Sequence, residues 1–285
     1  VRWRRVAAGD AQRLRRIASR VGAGVALAAV AGGASAGMAD ANDAGSVVHT
    51  GGAVTATLAW DKAEFGIGNP RLSVLRAGVA YDVKISDICL EGCIVVPDGA
   101  GDPAGTSAVK VADLDGDGEP EVLVDVFSGG AHCCLTARLL TFGGSGYTAL
   151  DIGYGDVGYV LKDADGDGRQ ELVGYDPRFS TVFTAFAASA FPPSVLQVQH
   201  GTTVDVTRRF PKLVRADAAA RLKELRKARR GDDIRGVLAA YVADQYLLGK
   251  GSTGLKEVDR VRRKGLVTKA FKPYLLKRLK GWKYR

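Results

Sequence analysis

Two nine-residue segments, DLDGDGEPE at Asp113–Glu121 and DADGDGRQE at Asp163–Glu171, carry carboxylates at positions one, three, five and nine. Each has glycine at positions four and six. Four like charges in so short a turn repel one another until a cation neutralises them. Calcium suits such a loop, because it accepts roughly six to eight hard oxygen ligands in flexible geometry. The spacing predicts two Ca²⁺ sites. Asp113, Asp115, Asp117 and Glu121 would hold the first through their side chains, and Asp163, Asp165, Asp167 and Glu171 the second. Glu119 and Arg169, at position seven, would each give a backbone carbonyl, so a change of charge there is tolerated. Gly118 and Gly168 permit the bend with positive φ. An EF-hand glutamate would fall where Val124 and Gly174 stand, so neither loop is an EF-hand. The competing reading is a pair of solvated, aspartate-rich turns without metal.

The elements that must position these loops are short strands. From residue 53 to 206, runs such as AVTATLAW, RLSVLRAG, EVLVDVF and CLTARLLTF alternate or cluster apolar residues between Gly, Asp, Asn and Pro. GGSG at 143–146 and HG at 200–201 mark hairpin turns. The loops recur fifty residues apart, each between an incoming and an outgoing strand, a period that suits a four-stranded blade-like unit. Residues 53–90 supply a third, degenerate unit without an acidic loop. Three such units are too few for a closed propeller. The expected fold is mainly β with α: blade-like antiparallel meanders, an incomplete propeller, followed by a small all-α C-terminal domain.

That domain begins where composition changes from Gly, Val, Thr and Asp to Ala, Leu, Lys and Arg. Helices are predicted at 217–229, within DDIRGVLAAYVADQYLLGKG, at 253–264 and at 271–281. The second presents Ile234, Val237, Leu238, Tyr241, Val242, Gln245 and Leu248 as one stripe, with Asp232 or Asp233 capping its start and Gly249 its end. Charge divides at the same place. Residues 37–206 hold 9 basic and 23 acidic residues, and residues 207–285 hold 24 and 7. The stripe and the opposite charges predict that 207–285 docks on the β domain.

Residues 1–36 read as a signal peptide: an arginine-rich start, an uncharged run from Val21 to Val30, then Ala34-Ser35-Ala36 as a cleavage pattern. The alternative is an uncleaved anchor. The expected organisation is signal peptide 1–36, flexible linker 37–52, β domain 53–206 and basic helical domain 207–285. No transmembrane span is expected after cleavage, and the location is secreted or envelope-associated. The basic helices suggest an anionic cell-wall polymer or envelope protein as partner. Nucleic acid fits the charge alone, since no recognition motif is present.

Four cysteines, Cys89, Cys93, Cys133 and Cys134, imply disulfides in an exported chain. Cys89 and Cys93 can close a tight loop and leave a vicinal pair, or each can pair with one of Cys133 and Cys134. His132 beside the vicinal pair is a poor tetrahedral metal set, because adjacent residues rarely reach one centre. No nucleophile elbow, zinc-protease motif, Walker loop or dinucleotide fingerprint occurs. No catalytic residue is assigned. Asp151, Asp156, Asp176 and Asp205 remain outside the loops as acids that a glycosidase would need in pairs.

The pattern of the two loops resembles the calcium loops of integrin-type FG-GAP and VCBS repeats. DLDGDGEPEVLVDVFSGGAHCC, DADGDGRQELVGYDPRF and RGVLAAYVADQYLLG further resemble secreted actinobacterial FG-GAP/VCBS-repeat-like proteins with no assigned activity. The resemblance implies export, calcium binding and, through the GGAHCC motif, local pairing of the cysteines. The function expected is calcium-stabilised binding or adhesion at the cell envelope, without catalysis. The alternative is a calcium-dependent hydrolase acting on an envelope glycan.

Overall fold

The computed structural model describes residues 44–62, 67–85, 87, 108–127 and 135–285. Alternation dictates the first sheet. In β2 (Val54–Lys62), Val54, Ala56, Leu58 and Trp60 point inward while the residues between them are partly exposed. It pairs antiparallel with β1 (Gly45–Gly51) and β3 (Ile67–Arg76), and β4 (Val79–Val83) follows β3 in a four-stranded meander. The stretch 37–52, expected as a linker, therefore carries a strand. SVVHT alternates like its neighbours, and Val47 faces Leu58 in the register.

The second sheet is β5 (Val109–Ala112), β6 (Glu121–Phe127), β7 (Leu135–Phe142) and β8 (Tyr147–Gly155), in that order. The sequence EVLVDVF of β6 is buried from Glu121 to Val126, as a central strand covered on both faces must be. Leu58, Leu72 and Val74 of the first sheet share one core with Val109, Val122 and Leu140 of the second. The third sheet holds β9 (Tyr159–Lys162), β10 (Glu171–Tyr175), β11 (Pro193–Gln199) and β12 (Thr202–Asp205), in the order β12-β11-β10-β9. His200 and Gly201 both have positive φ, 48° and 74°, in the β11–β12 turn. All three sheets are antiparallel meanders, and four helices end the chain.

The helices are α1 (Pro211–Lys227), α2 (Arg235–Leu247), α3 (Gly251–Arg263) and α4 (Phe271–Gly281). The first begins six residues before the predicted start. Pro211 at its first turn is the signal, since a first-turn proline gives up no helical bond. No helix among the described residues is long and apolar enough to cross a membrane.

By packing, the described chain forms two compact units: residues up to 112 with 119–152, and 113–118 with 153–285. The composition break at 206/207 thus falls inside the second unit. The reason lies in the β10–β11 connection. Phe179, Phe183 and Ala190 from that connection join Leu225, Leu238, Tyr241, Leu275 and Tyr284 in one core. Val195 and Val206 of the third sheet's region cluster with Phe210, just before α1. The helices therefore pack with the last third of the β region. α2 is buried all round, from Gly236 to Gln245, where the sequence predicted only a stripe. A Cβ on Gly236 would come 2.2 Å from the Ala188 carbonyl oxygen, so only glycine lets α2 approach this closely.

Three charged side chains, Asp217, Arg221 and Asp244, are buried on these helices. Arg221 Nε donates to Asp217 Oδ2 at 3.0 Å, and Nη2 donates to the Phe191 carbonyl at 3.1 Å. Asp244 is fully buried, with neither oxygen accepting a hydrogen bond. Burial, then the charge of Asp217, pushes the Asp244 carboxyl well above the usual carboxylate range. A raised acid pKa means that the native state holds its proton more tightly than the unfolded chain. The stability it contributes is present at low pH and is lost as pH rises above the unfolded value. Asp244→Asn should therefore change little near pH 4 and stabilise the protein increasingly toward pH 8. Arg221→Leu should cost about 3–5 kcal/mol by leaving Asp217 buried and unpaired. Urea denaturation of the full chain across pH checks both.

Candidate metal centres

The two acidic segments form the same loop at the same point of two hairpins. The first joins β5 to β6, closed by the pair Ala112↔Glu121, and the second joins β9 to β10, closed by Lys162↔Glu171. In each, the first aspartate gathers the turn around itself. Asp113 Oδ1 accepts the Gly116 N–H at 2.7 Å and Oδ2 that of Gly118 at 3.0 Å. Asp163 repeats this with Gly166 at 2.6 Å and Gly168 at 3.1 Å. Gly118 and Gly168 each have φ of 92°, as their position six requires.

The carboxylates converge as their spacing suggested, with one difference. Oxygen atoms of Asp113, Asp115 and Glu121 lie within 4.8 Å of one another, and so do those of Asp163, Asp165 and Glu171. The position-five residues, Asp117 and Asp167, stand outside these sets. Asp167 instead accepts the Arg169 N–H at 2.9 Å and its guanidinium at 2.8 Å, which holds the Asp167 carboxyl below the usual range. Position seven also behaves differently in the two loops. Glu119 turns its side chain to Arg76, with two bonds of 2.6 Å, and that pairing lowers its pKa. Both position-seven side chains are thus engaged elsewhere, which leaves their carbonyls as the groups they can offer.

The glutamate at position nine is the unusual member. Glu171 is fully buried, and Oε2 accepts the Ala164 N–H at 2.9 Å. Its Oε1 is buried without a hydrogen-bond partner. Burial, followed by the charges of Asp165, Asp167 and Asp163, raises its pKa above the usual glutamate value. An unpaired buried carboxylate oxygen is costly, and the carboxylate that carries it belongs to the cluster with Asp163 and Asp165.

Two partners from distant sequence complete the surroundings. Asp115 Oδ2 accepts the backbone N–H of His200 at 2.9 Å, and Asp165 Oδ2 accepts from the Arg209 guanidinium at 2.9 Å. Sequence reasoning missed both, because neither residue belongs to the acidic segments and only the fold brings them near. The acids left over for hydrolysis are already occupied. Asp151 pairs with Arg138 through two bonds, of 2.7 and 2.8 Å. Asp176 binds Arg178 and accepts from the Tyr284 hydroxyl, while Asp205 holds the N–H and hydroxyl of Thr207. Asp156 also has an interaction partner. Cys89, Cys93, Cys133, Cys134, His132 and residues 1–36, where a signal peptide is expected, lie outside the described residues.

Comparison with known proteins places a likeness in the helices. Residues 214–270 match the sll0997 C-terminal domain. The stretch runs from within α1 through α3 to the residue before α4. A protein of Synechocystis sp. (strain ATCC 27184 / PCC 6803 / Kazusa), the probable thylakoid lumen protein sll0997, is 33% identical over 174 residues. That likeness covers 57% of this chain and 51% of the Synechocystis protein. The protein y4bJ of Sinorhizobium fredii (strain NBRC 101917 / NGR234) is 33% identical over 89 residues, covering 31% of this chain and 14% of y4bJ. The chain thus spans about half the length of the first relative and much less of the second. No solved structure matches.

The buried Glu171 yields a measurable expectation. Its raised pKa means that ionising it costs native stability progressively as pH rises above the unfolded value. In EDTA, Glu171→Gln should melt at a higher temperature than the parent at pH 8 and show little difference near pH 4. Thermal melts at the two pH values check this.

Proposed function

We propose that this chain is a non-enzymatic binding or adhesion protein working outside the cytoplasm, with two calcium ions stapling its β hairpins. The observation that carries the calcium reading is Glu171: a buried carboxylate that clusters with those of Asp163 and Asp165 and has one oxygen without a donor. Calcium would be held by Asp163, Asp165 and Glu171 in one loop and by Asp113, Asp115 and Glu121 in the other, with Asp117, Asp167 and the carbonyls of Glu119 and Arg169 as further donors. Its contribution is charge neutralisation and cross-linking of the turn. The resemblance of the loops to those of FG-GAP and VCBS repeats supports the same reading.

A location outside the cytoplasm is supported by the thylakoid-lumen name of the Synechocystis relative and by the sequence of residues 1–36. Against catalysis stand the engaged acids: Asp151, Asp176 and Asp205 serve structural pairs. The partner class follows from charge. On α1, Lys223, Arg226 and Lys227 stand exposed around Ala219 and Leu222, a cationic surface with an apolar floor. An anionic envelope polymer, or an acidic face of an envelope protein, complements it.

Calcium should raise the melting temperature of the full chain by mass action, with Kd in the range of about 10⁻⁴–10⁻³ M common for extracellular modules. Asp115→Ala and Asp165→Ala should each remove one site and much of the thermal gain. Calorimetry showing no calcium uptake by the folded parent would overturn the reading. Co-sedimentation with cell-wall fractions tests the partner class, and release of soluble sugar from those fractions would favour a hydrolase instead.

A further inference from the structure

We infer that Arg209 tunes the second loop and makes it the weaker of two unequal calcium sites; this rests on the calcium reading above. Asp115 and Asp165 hold the same position in their loops, and each has Oδ2 bound from outside. The donors differ in charge. A neutral backbone N–H, that of His200, meets Asp115 at 2.9 Å, whereas a guanidinium, that of Arg209, meets Asp165 at 2.9 Å. Arg169 reaches the first loop only at a backbone carbonyl, donating from Nη1 to Asp115 O at 3.4 Å, and among the described residues no guanidinium contacts the carboxylate of Asp113 or Asp115.

The guanidinium of Arg209 is held in place. Its Nη1 donates to Gln197 Oε1 at 3.1 Å, and Gln197 is buried on β11. Its backbone belongs to the 3-10 turn Thr207–Arg209, where its N–H bonds to the Val206 carbonyl at 2.8 Å. That turn is itself pinned, because Thr207 is buried and its Oγ1 accepts the Val195 N–H at 2.9 Å. The positive charge is thus built into the site by the segment that leads into α1.

A fixed charge on one ligand acts in two opposite ways. Without calcium it offsets the repulsion among Asp163, Asp165 and Glu171. With calcium it repels the ion, and at a separation of ~6 Å in a water-like dielectric that weakens binding roughly tenfold. Salt should shrink the effect, since the group is partly exposed.

Calorimetric titration of CaCl₂ into the full chain tests this in an Asp113→Asn background, where only the second loop binds. At low salt Arg209→Gln should bind about tenfold more tightly than that parent, and Arg209→Lys about equally. The gap should narrow in high salt. Equal or weaker binding by Arg209→Gln overturns the tuning and leaves the calcium reading intact. If Arg209→Gln does not melt cooperatively in EDTA, salt dependence carries the test. Affinity of the second loop, measured in Asp113→Asn, should then fall less steeply with salt than that of the first, measured in Asp163→Asn. Equal slopes overturn the tuning. Absence of calcium binding in the parent and in both single-loop proteins overturns the calcium reading itself, and the tuning with it.

Discussion

Carboxylates held within 4.8 Å of one another, one of them out of water, are the constraint around which the hairpins are organised. Aspartate at position one satisfies two amides of its own turn, which requires the glycine at position six to take a left-handed conformation. Glutamate at position nine begins the outgoing strand, where the register against Ala112 or Lys162 carries it inward. The turn and the strand pair are therefore mutually dependent. Shifting either by one residue would turn the glutamate to the opposite face and dissolve the site.

The second unit is governed by a different demand. α2 is buried on every side from Gly236 to Gln245, so it must be enclosed, and the three other helices cannot be its only cover. The β10–β11 connection supplies the missing surface with Phe179, Phe183 and Ala190, and Gly236 permits the contact. Tyr284 closes the arrangement from the far end of the chain, packing against Phe179 and donating to Asp176. The β10–β11 connection and the helices of this unit consequently share one core. The matched family stretch, residues 214–270, covers most of α1, all of α2 and α3, and neither acidic loop.

Many charges in this protein are paired side chain to side chain. Arg76 meets Glu119, Arg138 meets Asp151 and Asp87, Arg221 meets Asp217, and Arg260 meets Glu257. The helical segment still exposes many lysines and arginines, and these form the cationic surface. The second acidic loop pairs Asp167 with its own Arg169 and Asp165 with Arg209.

The loops were legible in the sequence because their chemistry is local: nine contiguous residues contain the acids, the glycines and the turn. The strands were legible from period-two alternation and the four helices from apolar spacing, since both patterns repeat within a few residues. The edge strand Gly45–Gly51 was missed because a half-exposed strand has a weak apolar signal. The complete burial of α2 was missed because a stripe says what must be buried and leaves open how much else will be. Convergence of only three carboxylates per loop, and the approach of His200 and Arg209, were decided by tertiary structure. Those contacts join residues 85 and 44 positions apart. No local pattern encodes a partner that arrives from another hairpin or turn; only the packing of the strands fixes where it stands.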